Sequence, residues 1–233
     1  MKNNHICVLL CFHNYEHIKK CFNSVYNKNI DFFIIENKSE NSIQIQEFFI
    51  DKQLKGYIQF ESNISNNAFN IFIQEYKSLL NQYKYITISD CDIEISSNEV
   101  FEELKKNLHY PNVGVSCVDL SLENFPYHIP FSNTWIPNGK VQENYIECRT
   151  GIHLMTIENK NLETIYECNK FLDSNLYKLF YKKNMKWVKT LKNKGYHLTW
   201  DLYKEDHPYY KFKIENNNVL WNHNNISNYI TIK

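Results

Sequence analysis

The sequence is poor in arginine, glycine, net charge and long apolar runs. Of its 26 basic residues all but Arg149 are lysine, so the planar bidentate forks that read phosphate backbones and base edges are nearly missing. The basic residues are balanced by 26 acidic ones, and a net charge of zero gives no long-range attraction to a polyanion. No nucleic-acid partner is expected. Only five glycines occur in 233 residues, too few for a glycine-rich loop that wraps a triphosphate. The seven cysteines include no C-x-x-C pair and are odd in number, so they read as reduced, buried thiols. The apolar run Ile6 to Phe12 has seven residues and is followed by His13 and Asn14, which suits neither a signal peptide nor a transmembrane segment. The expected location is cytoplasmic.

What the chain does have is a 43% hydrophobic and 15% aromatic composition, enough for one full-sized core. Through residue 95, short apolar runs alternate with amphipathic stretches, the pattern of βαβ units feeding a central, mainly parallel sheet flanked by helices. Strands are predicted at Ile6–Phe12, Asp31–Glu36, Tyr57–Phe60 and Tyr85–Ser89, and helices at Tyr15–Tyr26, Ser42–Asp51 and Asn66–Gln82. Beyond residue 95 the reading is a helix at Asn98–Leu108 and strands at Val113–Leu120 and Glu147–Ile157. A long basic helix follows at Asn175–Lys194, with Asp173 or Ser174 as N-cap and Gly195 closing it, and a last strand at Tyr196–Tyr203. The loop Ser121–Glu143 and the tail after Lys204 are expected to order over a bound ligand.

Ligands of open α/β sheets bind outside the carboxyl ends of the strands, and there the sequence concentrates polar residues: Asn14, Glu36-Asn37-Lys38-Ser39, Asn63 and Asp90-Cys91-Asp92. In extended backbone residues i and i+2 point the same way, so Asp90 and Asp92 face one side together. Paired carboxylates of this kind suit Mg²⁺ or Mn²⁺ with positions left open for phosphates. The competing reading is a solvated turn capping the next helix.

At these residues the sequence resembles the GT-A fold glycosyltransferases, especially the family-2-like group. The matching features are Phe12-His13-Asn14 after the first strand, Glu36-Asn37-Lys38-Ser39 after the second, Asn63, Ser65, Ala68 and Asn70 at the following helix, and the D-x-D turn Asp90-Cys91-Asp92. They run in order through about 90 residues. The resemblance implies a single GT-A domain. In it residues 1–95 hold a nucleotide sugar, most simply a UDP-sugar, residues 96–203 face a glycan or glycolipid acceptor, and residues 204–233 form a tail or lid.

By the same resemblance Phe12, His13, Asn14, Glu36, Asn37, Ser39, Asn63, Asn70 and Asp90 line the nucleotide sugar, and Asp90 and Asp92 hold Mn²⁺ or Mg²⁺. A C-terminal histidine completes the metal shell, with His207 preferred over His197 and His223. The group carries an acidic pair ahead of a helix that ends in Gly-Tyr, to deprotonate the acceptor. Counting back from Gly195-Tyr196 reaches Lys183-Asn184, which is no carboxylate pair, so Glu147 and Asp173 stand as substitutes. Arg149 could grip a phosphate or an acidic sugar. Trp135, Trp200, Tyr209 and Tyr210 could stack on sugar faces. The lysines of 175–194 could dock weakly on a membrane surface, against the alternative of a solvated helix face. Rival readings are a GT-A-like nucleotidyltransferase and a catalytically inactive nucleotide-sugar-binding module.

Overall fold

The computed structural model describes residues 3–12, 14–128, 139–149, 151, 153–204, 206–215 and 227–233. His13, Trp135 and His223 lie outside them. The βαβ pattern of the first half folds as its periodicity predicts. Strands β1 (His5–Cys11), β2 (Asp31–Glu36), β3 (Gly56–Phe60) and β4 (Tyr85–Asp90) pair in parallel, in the spatial order β3-β2-β1-β4. Their connections carry α1 (Tyr15–Val25), α2 (Ser42–Ile50), α3 (Asn67–Glu75) and α4 (Lys77–Leu80). The last two replace the single helix expected over 66–82, which breaks at Tyr76.

The second half makes the sheet mixed. After β5 (Ile93–Ile95) and α5 (Glu99–Asn107), β6 (Val113–Leu120) runs parallel to β10 (Lys186–His197), and β9 (Met155–Glu158) fits antiparallel between β4 and β6. Strands β7 (Lys140–Val141) and β8 (Ile146–Cys148) form the edge beside β10. Helices α6 (Leu162–Tyr166) and α7 (Asp173–Lys182) precede β10, and α8 (Pro208–Glu215) follows it. The end of the chain adds β11 (Tyr229–Thr231), antiparallel to β3 at the opposite edge, so the tail expected after Lys204 includes a helix and a strand of the sheet. The core lies on both faces. Phe33, Phe69, Phe72, Trp187 and Phe180 fill one side, and Phe22, Phe49, Phe101 and Trp200 the other.

Three expectations are corrected. The helix over 175–194 stops at Lys182, because Asn184 adopts a left-handed φ of 55° that ends the turn, and 186–197 then runs as β10. Gly195 is therefore a strand residue packed beside Ile93 and Val118, and lysines 186, 189, 192 and 194 are not on a helix, which removes the single basic helical face. The strand expected over 147–157 is two strands on different neighbours, separated where Gly151 (φ 123°) and Leu154 (φ 47°) redirect the chain. Beyond His197 the chain winds into a 3-10 helix, Leu198–Leu202, rather than continuing as a strand.

Candidate active site

The carboxyl ends of β1, β2, β3, β4, β6 and β10 share one edge of the sheet, and three potential metal ligands meet there. Asp92, His153 and His197 each offer an atom within 4.8 Å of the others'. The topology explains the meeting. Strand β5 pairs antiparallel with the end of β10, setting Ile93 opposite His197, and Leu198 N donates to Asp92 O at 2.8 Å. His153 arrives from the other side, because β9 runs antiparallel to β4 and its leading end is tied at this edge by Leu154 N donating to Ser89 Oγ at 3.0 Å.

The imidazole of His197 is held parallel to Trp200, with ring centroids 4.7 Å apart, and edge-on to His153 at 4.9 Å. Its Nε2 stands 3.6 Å from Asp92 Oδ2, which also accepts a 2.8 Å bond from Thr199 Oγ1. Burial alone would raise the Asp92 carboxyl, but His197, His153, the Thr199 hydroxyl and His17 outweigh it and hold the group below its usual range. Burial, with His197 adding to it, pushes His153 down to about 3, so this imidazole is neutral and able to ligate.

Asp92 Oδ1 and His153 Nδ1 are buried without a hydrogen-bond partner among the described residues. Orphaned acceptors beside two imidazoles and a carboxylate fit a divalent cation, and the Asp92 side chain keeps 23% of its exposure, so the cluster is reachable. Asp90, at the end of β4, is not part of this group of three.

The turns expected to hold the donor lie along the same edge. Glu36 is fully buried, accepting from Tyr57 OH and from Gln59 Nε2 at 3.0 Å, while its Oε1 has no partner among the described residues. Asn37 braces the next turn, its Nδ2 donating to Ser65 O and its Oδ1 accepting from Ile64 N. Ser39 N donates to Ser42 Oγ, and the Ser39 hydroxyl is buried without a partner among the described residues. Asn14 caps α1 by accepting from His17 N, and Phe12 O accepts from Asn14 N. Asn63 Oδ1 accepts from Ser65 N, which steadies that residue's φ of 54°, and Asn70 bridges Asn67 and Asn169 O.

His207 does not reach the cluster of three. Its Nδ1 accepts from Tyr209 N, capping the start of α8. Burial, with the charges of Asp92 and Asp90 adding to it, pushes the Tyr209 phenol up, and the ring packs against Tyr203 and the core cluster that holds Leu198 and Trp200. Trp200 packs against Phe125 and the His197 ring rather than standing open to a sugar.

On the acceptor-side elements, Asp173 is the first residue of α7, its Oδ1 accepting from Ser174 N. Burial pushes the Cys117 thiol on β6 up, with Cys148 and, least, the Asp173 charge adding to it, and Cys117 Sγ donates to Gly151 O at 2.8 Å. Glu147 is instead tied to Lys186 at 3.4 Å, at the beginning of β10 and away from the Asp92 edge. Arg149 is exposed just past β8 and is not brought to the metal ligands.

No family model matches the chain. It is 36% identical over 241 residues to the uncharacterized protein L142 of Acanthamoeba polyphaga mimivirus, covering 94% of this chain and 48% of that protein. To the same virus's uncharacterized protein L137 it is 35% identical over 235 residues, covering 92% and 32%. The chain thus spans about half the length, or less, of the curated relatives it matches. Among solved structures it superimposes on the mannosyltransferase PcManGT from Pyrobaculum calidifontis, in complex with GDP-Man and Mn²⁺, with TM-score 0.60 and 7% identity over 94% of this chain and 63% of that one. On S. aureus TarS the TM-score is 0.57 at 14% identity, over 84% and 60%. The fold is the GT-A glycosyltransferase fold.

Within this GT-A frame, sequence reasoning missed His153 and His17. His153 precedes a strand whose antiparallel direction, invisible in the residues, turns its first end toward the site. His17 sits on the first turn of α1 and acts on Asp92 through space. The signal that could have found it was its place three residues after the helix cap Asn14, at the carboxyl end of β1.

Proposed function

We propose that the chain is a metal-dependent glycosyltransferase that moves a sugar from a nucleoside-diphosphate sugar to an acceptor hydroxyl. The observation that carries this is the Asp92–His153–His197 cluster at the carboxyl edge of a GT-A sheet. Asp92 and the two imidazoles would hold the cation, Mn²⁺ fitting two nitrogen ligands better than Mg²⁺ does. Held by these three side chains, a cation would supply Lewis-acid stabilisation of the charge on a departing diphosphate. Supporting it, the GT-A neighbour from Pyrobaculum binds GDP-Man and Mn²⁺.

The unpaired Glu36 Oε1 and the Ser39 hydroxyl, buried at the end of β2, are suited to hydrogen-bond donors of the base and ribose. Asp173 is the best-placed general base. The corrected helix boundaries put this carboxylate at the head of a helix that ends in the left-handed residue Asn184. That is where the resembling group carries its acidic pair, with Asn184-Met185 in place of Gly-Tyr. Asp173 would accept the acceptor's proton as the new glycosidic bond forms. Helix α8, whose Tyr209 packs beside Tyr203 and the core cluster holding Trp200, would keep water from the donor.

The test is thermal unfolding with UDP, GDP and their sugars, with and without Mn²⁺ or Mg²⁺, joined to an assay of donor hydrolysis. A nucleotide at 100 times its Kd stabilises by about 2.7 kcal/mol, which ranks donors. Nucleotide binding that requires Mn²⁺ and is lost in Asp92→Asn is the expected result. Absence of metal-dependent stabilisation by any nucleotide would overturn the reading.

A further inference from the structure

A lysine inside a protein needs a matched counter-charge, and among the described residues Lys189 on β10 shares its one carboxylate partner with a second lysine. Its side chain keeps 5% of its exposure, and Asp119 Oδ1 lies 3.9 Å from its Nζ. That carboxylate, itself 9% exposed, is nearer to a second ammonium, with Lys194 Nζ 3.4 Å from its Oδ2. Two cations therefore share one buried anion. The arrangement follows from the bulge in β10, where the register against β6 jumps between Lys189, opposite Cys117, and Lys194, opposite Asp119.

The surroundings leave Lys189 a way out. Its stem lies against Gly151, at a φ of 123° that favours glycine, and a Cβ there would stand 3.1 Å from Lys189 Cε and 3.7 Å from Nζ. Gly151 is only half-buried, so on the side where its Cα faces the lysine stem no side chain of its own covers the ammonium. Two residues on is His153 of the candidate metal cluster, and Gly151 O accepts from Cys117 Sγ.

We propose that Lys189, which among the described residues has Asp119 as its one carboxylate partner and shares it with Lys194, is an oxyanion-binding residue of the active centre, taking a phosphate or carboxylate group of a substrate. Such an anion would neutralise the surplus positive charge and bond to Nζ at the short range that Asp119 does not reach. The inference rests on the glycosyltransferase reading only for the source of the anion, which is either the donor's diphosphate or an acidic group on the acceptor.

Pyrophosphate alone, without metal, is the probe, titrated against the thermal unfolding of the full chain. It should stabilise the parent protein, and Lys189→Met should weaken its apparent affinity at least tenfold, about 1.4 kcal/mol. Asp119→Asn should tighten it, since the competing carboxylate is gone, whereas general damage to the fold would weaken both variants. No stabilisation of the parent, a Lys189→Met titration like the parent's, or Asp119→Asn weakening in step with Lys189→Met would each overturn the proposal. Adding a nucleoside diphosphate with Mn²⁺ then assigns the source: competition with pyrophosphate marks the donor, and simultaneous binding marks the acceptor. Pyrophosphate binding with no metal-dependent nucleotide binding would sink the glycosyltransferase reading and leave the oxyanion site standing.

Discussion

Asp92 and His197 stand side by side because Ile93 and His197 are cross-strand partners, and this fixes what substitutions there should do. His197→Ala and His153→Ala should each weaken Mn²⁺-dependent nucleotide binding by at least tenfold, the usual cost of losing a ligand or its support. His207→Ala should leave it within about threefold and mainly loosen α8, whose first turn it caps. Isothermal titration with Mn²⁺ and nucleotide separates these outcomes. Equal losses in all three variants would show that the histidines act through the fold rather than as ligands. Asp173→Asn should lower kcat by about a hundredfold or more while nucleotide binding stays unchanged, because the carboxylate is asked to act only on the acceptor's proton. A matching loss of nucleotide affinity would move Asp173 to a structural role.

At the scale of elements, β10 is the strand the sequence hid. Leu176, Leu179, Phe180, Trp187, Val188 and Leu191 recur at helical spacing, yet only Leu176 and Phe180 are buried from α7, while Trp187 and Val188 are buried from β10. The first part of the strand is covered on both faces, so it shows no polar alternation to betray itself. Its bulge is held by Asp119 N of β6 donating to Thr190 Oγ1, which donates on to Asn193 O, and by four bonds to one side chain of α5. Glu103 on α5 accepts from Leu191 N at 2.7 Å, Lys192 N at 2.9 Å, Asn193 N at 3.0 Å and Asn193 Nδ2 at 2.7 Å. Burial would raise this carboxyl, but those bonds outweigh it and hold it below the usual range. Its contribution is therefore present at neutral pH and lost as pH falls through the lowered value. Glu103→Ala should cost about 2–3 kcal/mol in denaturant unfolding at pH 7, and less in acid. A cost under about 0.5 kcal/mol, the range of ordinary surface changes, would mean the bulge holds itself.

At the scale of the whole molecule, stability on the acid side should depend on a histidine far from the site. His5 is fully buried in β1, bonded through Nε2 to Thr87 Oγ1 at 2.7 Å and packed edge-on to Tyr85 and Phe101. Burial, with Lys105 adding to it, lowers its pKa from 6.5 to about 3. Above 6.5 both folded and unfolded chains leave it neutral. Between 6.5 and 3 only the unfolded chain takes the proton, so stability falls with pH through that window. From pH 7 to 5 this amounts to about 2 kcal/mol. Urea unfolding at the two pH values should show His5→Gln losing less stability than the parent by roughly that amount. An equal loss in both would mean that His5 is not the group responsible.

The βαβ half was legible in the sequence because its signals are local. Apolar runs such as Ile6 to Phe12 and the spacing of Ile18, Cys21, Phe22 and Val25 depend on neighbours in the chain, and a parallel sheet follows from their alternation. The polar ends of those strands named Asp92 for the same reason. The second half depended on strand direction and pairing. That β9 runs antiparallel between β4 and β6 decides that His153 meets Asp92, and that β5 pairs with β10 decides that His197 and not His207 stands beside it. The left-handed turn at Asn184 decides that the helix headed by Asp173 stops at Lys182 and that the chain continues as β10. Spacing along the chain carries period and propensity. Which residues distant in the chain share an edge of the sheet is set by long-range hydrogen-bonded registers, and only the folded structure contains them.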